Sequence, residues 1–299
     1  METQKAQKGN KSHKSGLWIM ATLVLFFLGD RGAGFLLKQQ VDQSQFRYSR
    51  LYTEGAEADI LFVGNSRGLM FYQPYVEEIT SKSTANLSYN GMPMDLAEVL
   101  VYDYYDHHAA PKTLVLDVTL CDRSNLQLIR DFRTYAPYSE RLQNLIKREA
   151  TNNYWGMQLS HLYRYNSEIF QRALYYRSRT DEDWLLDRVI NEKMVSGIEE
   201  TEDYTITLAH LEALKRTVDF ARERGTEIKL VVNPYYPPFA RKIQNLQEFK
   251  DAVAEKTGLP VSDYSLAVAD TEGFGDYQHL NKAGSRKYID QLLADGVIR

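Results

Sequence analysis

Ser66, Asp276 and His279 are the residues of this chain whose types and spacing could do chemistry together. Ser66 closes the stretch Asp59-Ile60-Leu61-Phe62-Val63-Gly64-Asn65-Ser66, in which four apolar residues run into a glycine turn. Such a run reads as a buried strand. The glycine permits a sharp turn that holds a serine hydroxyl out at the strand's carboxyl end. A helix starting there would aim its N-terminal N–H groups at whatever the hydroxyl attacks. A serine hydroxyl is a weak nucleophile and needs a base. The loop Asp276-Tyr277-Gln278-His279 offers one. Its Asp and His can share one turn, with the carboxylate accepting from Nδ1 and leaving Nε2 to deprotonate the serine. That chemistry is acyl transfer through an ester on Ser66. The N–H groups of Ser66 and Gly91, the latter just after a second strand, would stabilise the oxyanion. There are plainer readings: strand-glycine-serine turns are common, and an Asp-x-x-His pair arises cheaply in a chain with 6 histidines.

Other reactive side chains read as structural. His107 and His108 are adjacent, so they point to different faces and lack metal-ligand spacing. His161 and His210 sit in helical patterns. Cys121, the only cysteine, reads as a small buried residue. It excludes an internal disulfide and a multi-cysteine zinc site. A net charge of -4 leaves no nucleic-acid footprint. No Gly-x-Gly-x-x-Gly or phosphate loop follows any strand, which argues against a nucleotide-binding domain. No metal and no cofactor are implied.

The elements that must position these residues follow from periodicity. Strands are expected at 59–63, 84–89, 113–120, 227–232 and 261–264. Helices are expected at 69–81 (broken by Pro74), 95–107, 207–224, 249–257 and 282–294, the last capped by Asn281. Strands alternating with helices predict an α/β fold with a mostly parallel, doubly wound sheet. Residues 123–205 break the rhythm and read as a helical insertion rich in Arg, Tyr, Asn and Glu. Within it, Leu162 to Arg177 could stack sugars or rest on anionic headgroups, or bury its tyrosines in the core. Tyr235-Tyr236-Pro237-Pro238 would lie at the active edge of the sheet, lining a pocket or forming a rigid turn.

The N-terminus decides the compartment. Lys5, Lys8, Lys11 and Lys14 precede an apolar run from Leu17 to Leu28, interrupted by Gly29-Asp30-Arg31-Gly32 and resumed from Ala33 to Leu37. With no Ala-x-Ala-like cleavage site, the run reads as a signal anchor at residues 16–37 that spans the lipid bilayer. Residues 1–15 then stay cytoplasmic and the rest of the chain is extracytoplasmic. Residues 38–57 read as a polar stalk, and 58–299 as the α/β domain.

Three blocks resemble the SGNH (GDSL-type) hydrolases. Gly64-Asn65-Ser66 resembles their first block, and Asn86 to Gly91 the second, closing on an oxyanion-hole glycine. Asp276-x-x-His279 with Leu280-Asn281-x-x-Gly284 resembles the last. The resemblance covers roughly residues 58–122 and 205–299. It implies a flavodoxin-like three-layer α/β/α sandwich, with Ser66 as nucleophile, His279 as base and Asp276 as its orienter. Two positions depart from the family. Asn65 replaces an Asp that is not catalytic. The asparagine expected after the third strand, another oxyanion donor, is missing from Thr119-Leu120-Cys121-Asp122, leaving Asn90 or Asn233 as stand-ins. An anchored domain of this kind is similar to the accessory proteins of cell-surface polysaccharide or teichoic-acid O-acylation. That implies an esterase or O-acyltransferase acting on an acylated or acceptor glycan, beside a multi-pass membrane acyltransferase. The alternative is a catalytically weak scaffold that binds glycan or such a partner.

Overall fold

The computed structural model describes residues 3–181, 184–191 and 202–299. Helix α1 (Thr3–Asp42) leads into α2 (Arg47–Tyr52). The α/β pattern then begins with β1 (Ile60–Val63), α3 (Gln73–Thr80), β2 (Thr84–Asn86), α4 (Met94–His107) and β3 (Thr113–Asp117). Among the described residues five α-helices follow: α5 (Leu126–Asp131), α6 (Glu140–Glu149), α7 (Thr151–Leu159), α8 (His161–Arg164) and α9 (Glu168–Tyr175). The pattern resumes with α10 (Leu208–Glu223), β4 (Glu227–Val232), α11 (Pro237–Ala240), α12 (Leu246–Thr257), β5 (Val261–Asp263) and α13 (Lys282–Ala294).

The five strands form one parallel sheet in the order β2-β1-β3-β4-β5. That is the flavodoxin-like order, with its switch point between β1 and β3. The central strands are apolar on both faces because both are covered. Leu61, Val63, Leu114, Leu116, Leu230 and Val232 face the layer that includes α4, α10 and α12. Ile60, Phe62, Val115 and Val231 face α3 and α13.

Several expected boundaries move for local reasons. Pro74 starts α3 instead of breaking a helix, since a proline near the N-terminus loses no intrahelical bond. The segment after Ser66 is a short 3₁₀ turn, Ser66–Met70, rather than an α-helix. β3 ends at Asp117, whose carboxylate accepts from the Thr119 N–H at 3.0 Å and turns the chain into a 3₁₀ segment. The part of the 123–205 insertion at 182–183 and 192–201 lies outside the described residues.

The stalk expected at 38–57 is not a stalk. Val41, Phe46, Tyr48 and Leu51 are buried in the larger core. Three polar side chains of the segment turn inward to distant partners. Tyr48 Oη donates to Leu87 O at 2.9 Å, and Tyr52 Oη to Asp103 Oδ2 at 2.6 Å. Arg47 pairs with Asp181 through Nε at 2.9 Å and Nη2 at 3.1 Å, and its Nη1 donates to Ser88 O at 2.9 Å. The pair is almost completely buried. Removing one partner of a buried pair strands the other charge. Asp181→Ala is therefore expected to destabilise the fold by about 3–5 kcal/mol, read as a lower denaturant midpoint.

The insertion's tyrosines divide. Tyr165 and Tyr176 are buried, whereas Tyr175 is half exposed. Stretch Ser15–Asp42 of α1 is long and apolar enough to cross a membrane.

Candidate active site

Ser66 stands at the carboxyl end of β1, beside the switch point, because the turn that presents it is packed too tightly for side chains. A Cβ on Gly64 would meet the Gly68 Cα at 2.8 Å, and one on Gly68 would meet Ser88 Oγ at 2.2 Å. Asn65 caps the turn by accepting from the Arg67 N–H at 3.1 Å. Buried Asn86 ties the turn to β2, donating to Gly68 O at 2.9 Å and accepting from the Ser88 N–H at 2.9 Å.

His279 is brought to Ser66 from 213 positions away, with Nε2 at 2.8 Å from Ser66 Oγ. Its Nδ1 lies 2.8 Å and 3.1 Å from the two carboxylate oxygens of Asp276. A carboxylate only accepts, so the Nδ1 proton faces it and Nε2 is left to accept the serine proton. Asp276 Oδ1 also accepts from the backbone N–H groups of Gln278 and His279, each at 2.9 Å, which fixes the histidine's own backbone. Burial would raise the Asp276 carboxyl, but the hydrogen bond and electrostatic attraction from His279 and the two backbone bonds hold it below the usual carboxylate value. Asn281 caps α13 by accepting from the Gly284 N–H at 3.1 Å. Ser285 Oγ donates to Met70 O at 2.5 Å, joining α13 to the turn that carries Ser66.

A cleft of about 190 Å³ opens at Ser66, with Gly91, Thr119, Asp122, Arg123 and Tyr235 in its walls. Gln278 is shared with a second cleft lined by Arg188, Asp276, Tyr277 and His279. Gly91 has φ +66°, a conformation glycine adopts without strain. Of the two proposed asparagine stand-ins, neither lines the cleft. Asn90 is exposed outside it. The Asn233 side chain is fully buried, donating to Asp117 Oδ2 at 3.2 Å and accepting from Tyr288 Oη at 2.6 Å.

Thr119 occupies the position after β3 instead. Its Oγ1 donates to Asp117 Oδ1 at 2.7 Å and accepts from Asn65 Nδ2 at 2.9 Å and from the Arg67 guanidinium. Arg67 is the feature the sequence reading missed. It is buried, with its guanidinium 4.4 Å from the Tyr235 ring centre and Nε 3.9 Å from Asp117 Oδ2. That Nε has no hydrogen-bond partner among the described residues. Burial opposes its charge, but Tyr235, Tyr204, Asp117 and Asp122 more than offset this and keep it cationic. An arginine next to the candidate nucleophile was the available signal.

The remaining candidates are structural. His210 Nδ1 is 2.8 Å from Cys121 O, and His108 Nε2 is 2.8 Å from Leu51 O. Cys121 is buried, and burial pushes its thiol up.

The chain is similar to several solved structures. One is a proposed acylhydrolase from Bacteroides fragilis, at 11% identity over 80% of this chain and 88% of that one, with a TM-score of 0.37. A GDSL-like lipase from Bacteroides thetaiotaomicron shares 9% identity over 80% of this chain and 86% of its own, with a TM-score of 0.36. A proposed platelet activating factor from Streptococcus pneumonia shares 15% identity over 94% and 99%, with a TM-score of 0.42. No family model and no curated protein matches the chain.

Proposed function

We propose that the chain is a membrane-anchored, SGNH-like serine esterase or O-acyltransferase. One observation carries this reading: the unbroken path Ser66 Oγ–His279 Nε2–His279 Nδ1–Asp276, with both contacts at 2.8 Å. In this reading His279 takes the Ser66 proton as the hydroxyl attacks an ester carbonyl. The resulting imidazolium, steadied by Asp276, returns the proton to the departing alcohol. Water or a sugar hydroxyl then takes the acyl group from Ser66. Transferase and esterase differ only in that acceptor.

The cleft supports a short acyl group. Its 190 Å³ is small beside the roughly 300–1,000 Å³ of ordinary ligand pockets, and its walls carry Asn65, Arg67, Asp122 and Arg123. A hydroxylated or charged carrier such as a glycan suits such walls better than a long lipid tail. The backbone N–H groups of Ser66 and Gly91 are assigned as oxyanion donors. The Arg67 guanidinium, held on Thr119 where the family's asparagine would stand, is assigned as the third. Arg67→Met is expected to lower kcat by on the order of 10²-fold with little change in KM, the usual cost of losing one such donor.

The rival reading is a catalytically weak scaffold that holds glycan or a multi-pass acyltransferase. It is favoured by the Thr119 hydroxyl, which already donates to Asp117. Release of acetate from an activated acetyl ester by the full-length protein in detergent tests the two. The enzyme reading expects turnover well above the uncatalysed rate, and its absence would favour the scaffold.

A further inference from the structure

The first turns beyond the apolar run of α1 are not free. Asp30 is buried and accepts from Ser160 Oγ at 2.6 Å, from the His161 N–H at 2.8 Å and from the Leu162 N–H at 3.0 Å. Arg31 donates to Asp30 at 2.8 Å and to the Leu159 carbonyl at 3.3 Å. Gly34 lies so close to His161 that a Cβ would meet its Cβ at 2.3 Å. The turn between α7 and α8 is therefore clamped to α1 at residues 30–34.

That clamp lies below the end of a membrane span. A hydrocarbon core takes about 20 helical residues. A span beginning at Leu17 accordingly ends near residue 36, about one turn past the clamp. The side chains agree. Phe35 and Leu36, on the uncovered side of α1, are 61% and 60% exposed. On the two helices that the clamped turn joins, Trp155 and Leu159 of α7 are 60% and 80% exposed, and Leu162 of α8 is also exposed. Single exposed apolar residues need no explanation, but a contiguous set does. Here Leu159 and Leu162 flank the clamp that holds this turn to Asp30 and Arg31, and Trp155 lies four residues from Leu159 on the same helix face, so bare apolar side chains stand on both elements of the clamp. The buried carboxylate fits too, since an acidic group at membrane depth persists when it is paired and hydrogen-bonded.

We propose that the α7–α8 turn is embedded in the outer interface of the bilayer that α1 spans. Trp155, Leu159 and Leu162 face lipid there, and the turn seals Asp30. Tryptophan at this depth is the usual interfacial anchor. The inference rests on α1 being a membrane span. Its consequence is orientation: the domain stands on the bilayer by two contacts instead of swinging on one. The site shares that frame, because Arg47, a few residues past α1, holds Ser88 O beside the Ser66 turn.

Site-directed spin labelling tests this on the full chain in phosphatidylethanolamine/phosphatidylglycerol nanodiscs. Leu25→Cys, Leu159→Cys and Leu266→Cys place nitroxides on α1, on the clamped turn and on the loop beyond the far edge strand. Cys121 is buried and stays in place, with the wild type setting the labelling background. The expected result is that labels at 25 and 159 collide preferentially with oxygen, while the label at 266 collides preferentially with a water-soluble nickel chelate. A label at 159 that behaves like the one at 266, with 25 still oxygen-favoured, overturns the embedding and leaves the span standing. A nickel-accessible label at 25 removes the span, and the embedding with it.

Discussion

Ser66→Ala is expected to cut ester turnover by on the order of 10⁴- to 10⁶-fold, the range seen when a serine nucleophile is removed and only binding and oxyanion donors remain. The fold should not notice. The hydroxyl's hydrogen bond is to His279, at the cleft surface, and among the described residues no core hydrogen bond depends on it. A change that touches no packed or buried polar group stays within about 0.5 kcal/mol. The variant is thus a clean test, since lost turnover with an unchanged thermal midpoint cannot be ascribed to unfolding. Turnover equal to wild type would mean that the arrangement around Ser66 does no chemistry.

Asp276→Asn is expected to cost about 10⁴-fold in kcat, for a reason separate from charge. Asparagine can keep an oxygen where Asp276 Oδ1 accepts from the Gln278 and His279 N–H groups, so the loop should hold. Its amide nitrogen would take the Oδ2 place, 3.1 Å from His279 Nδ1, as a donor facing a donor, and leave Nδ1 one neutral acceptor at Oδ1. That weakens the hold on the Nδ1 proton and favours the other tautomer, which puts the proton on Nε2, where the serine needs an acceptor. The variant also has a pH signature. The Asp276 carboxyl sits below its usual value in the folded protein. Its contribution to stability is present above the unfolded value and is lost as pH falls through the folded one. The stability gap between wild type and Asp276→Asn should therefore narrow on acidification, as followed by urea midpoints across pH. A gap that widens would contradict the assignment.

What could be read from the sequence was what is locally encoded. The run Ile60 to Val63 with Gly64 locates β1 and the serine turn within a residue. Glu227–Val232 and Lys282–Ala294 match their expected bounds because apolar patterning and the Asn281 cap mark them directly. Asp276 and His279 were legible as a pair because three residues separate them. What was illegible depends on distant partners. Arg47 looked like stalk because its partner Asp181 lies 134 positions on. Asp30 looked like a break in an anchor because its partners lie at 160–162. The asparagine stand-ins failed for a related reason. Asn233 does follow the end of β4, but its side chain turns inward to Asp117 and Tyr288, which no local pattern reveals. Arg67 was passed over because an arginine beside a surface serine normally reads as solvated, whereas Tyr235 and Thr119 bury it.

The central claim is that Ser66 is a nucleophile made reactive by His279. Intact-mass analysis after exposure to a serine-directed fluorophosphonate tests it most directly. The account predicts one adduct on the wild-type protein, mapped to Ser66, absent from Ser66→Ala and strongly slowed in His279→Ala. A wild-type protein that remains unmodified, or an adduct that persists in Ser66→Ala, would contradict it.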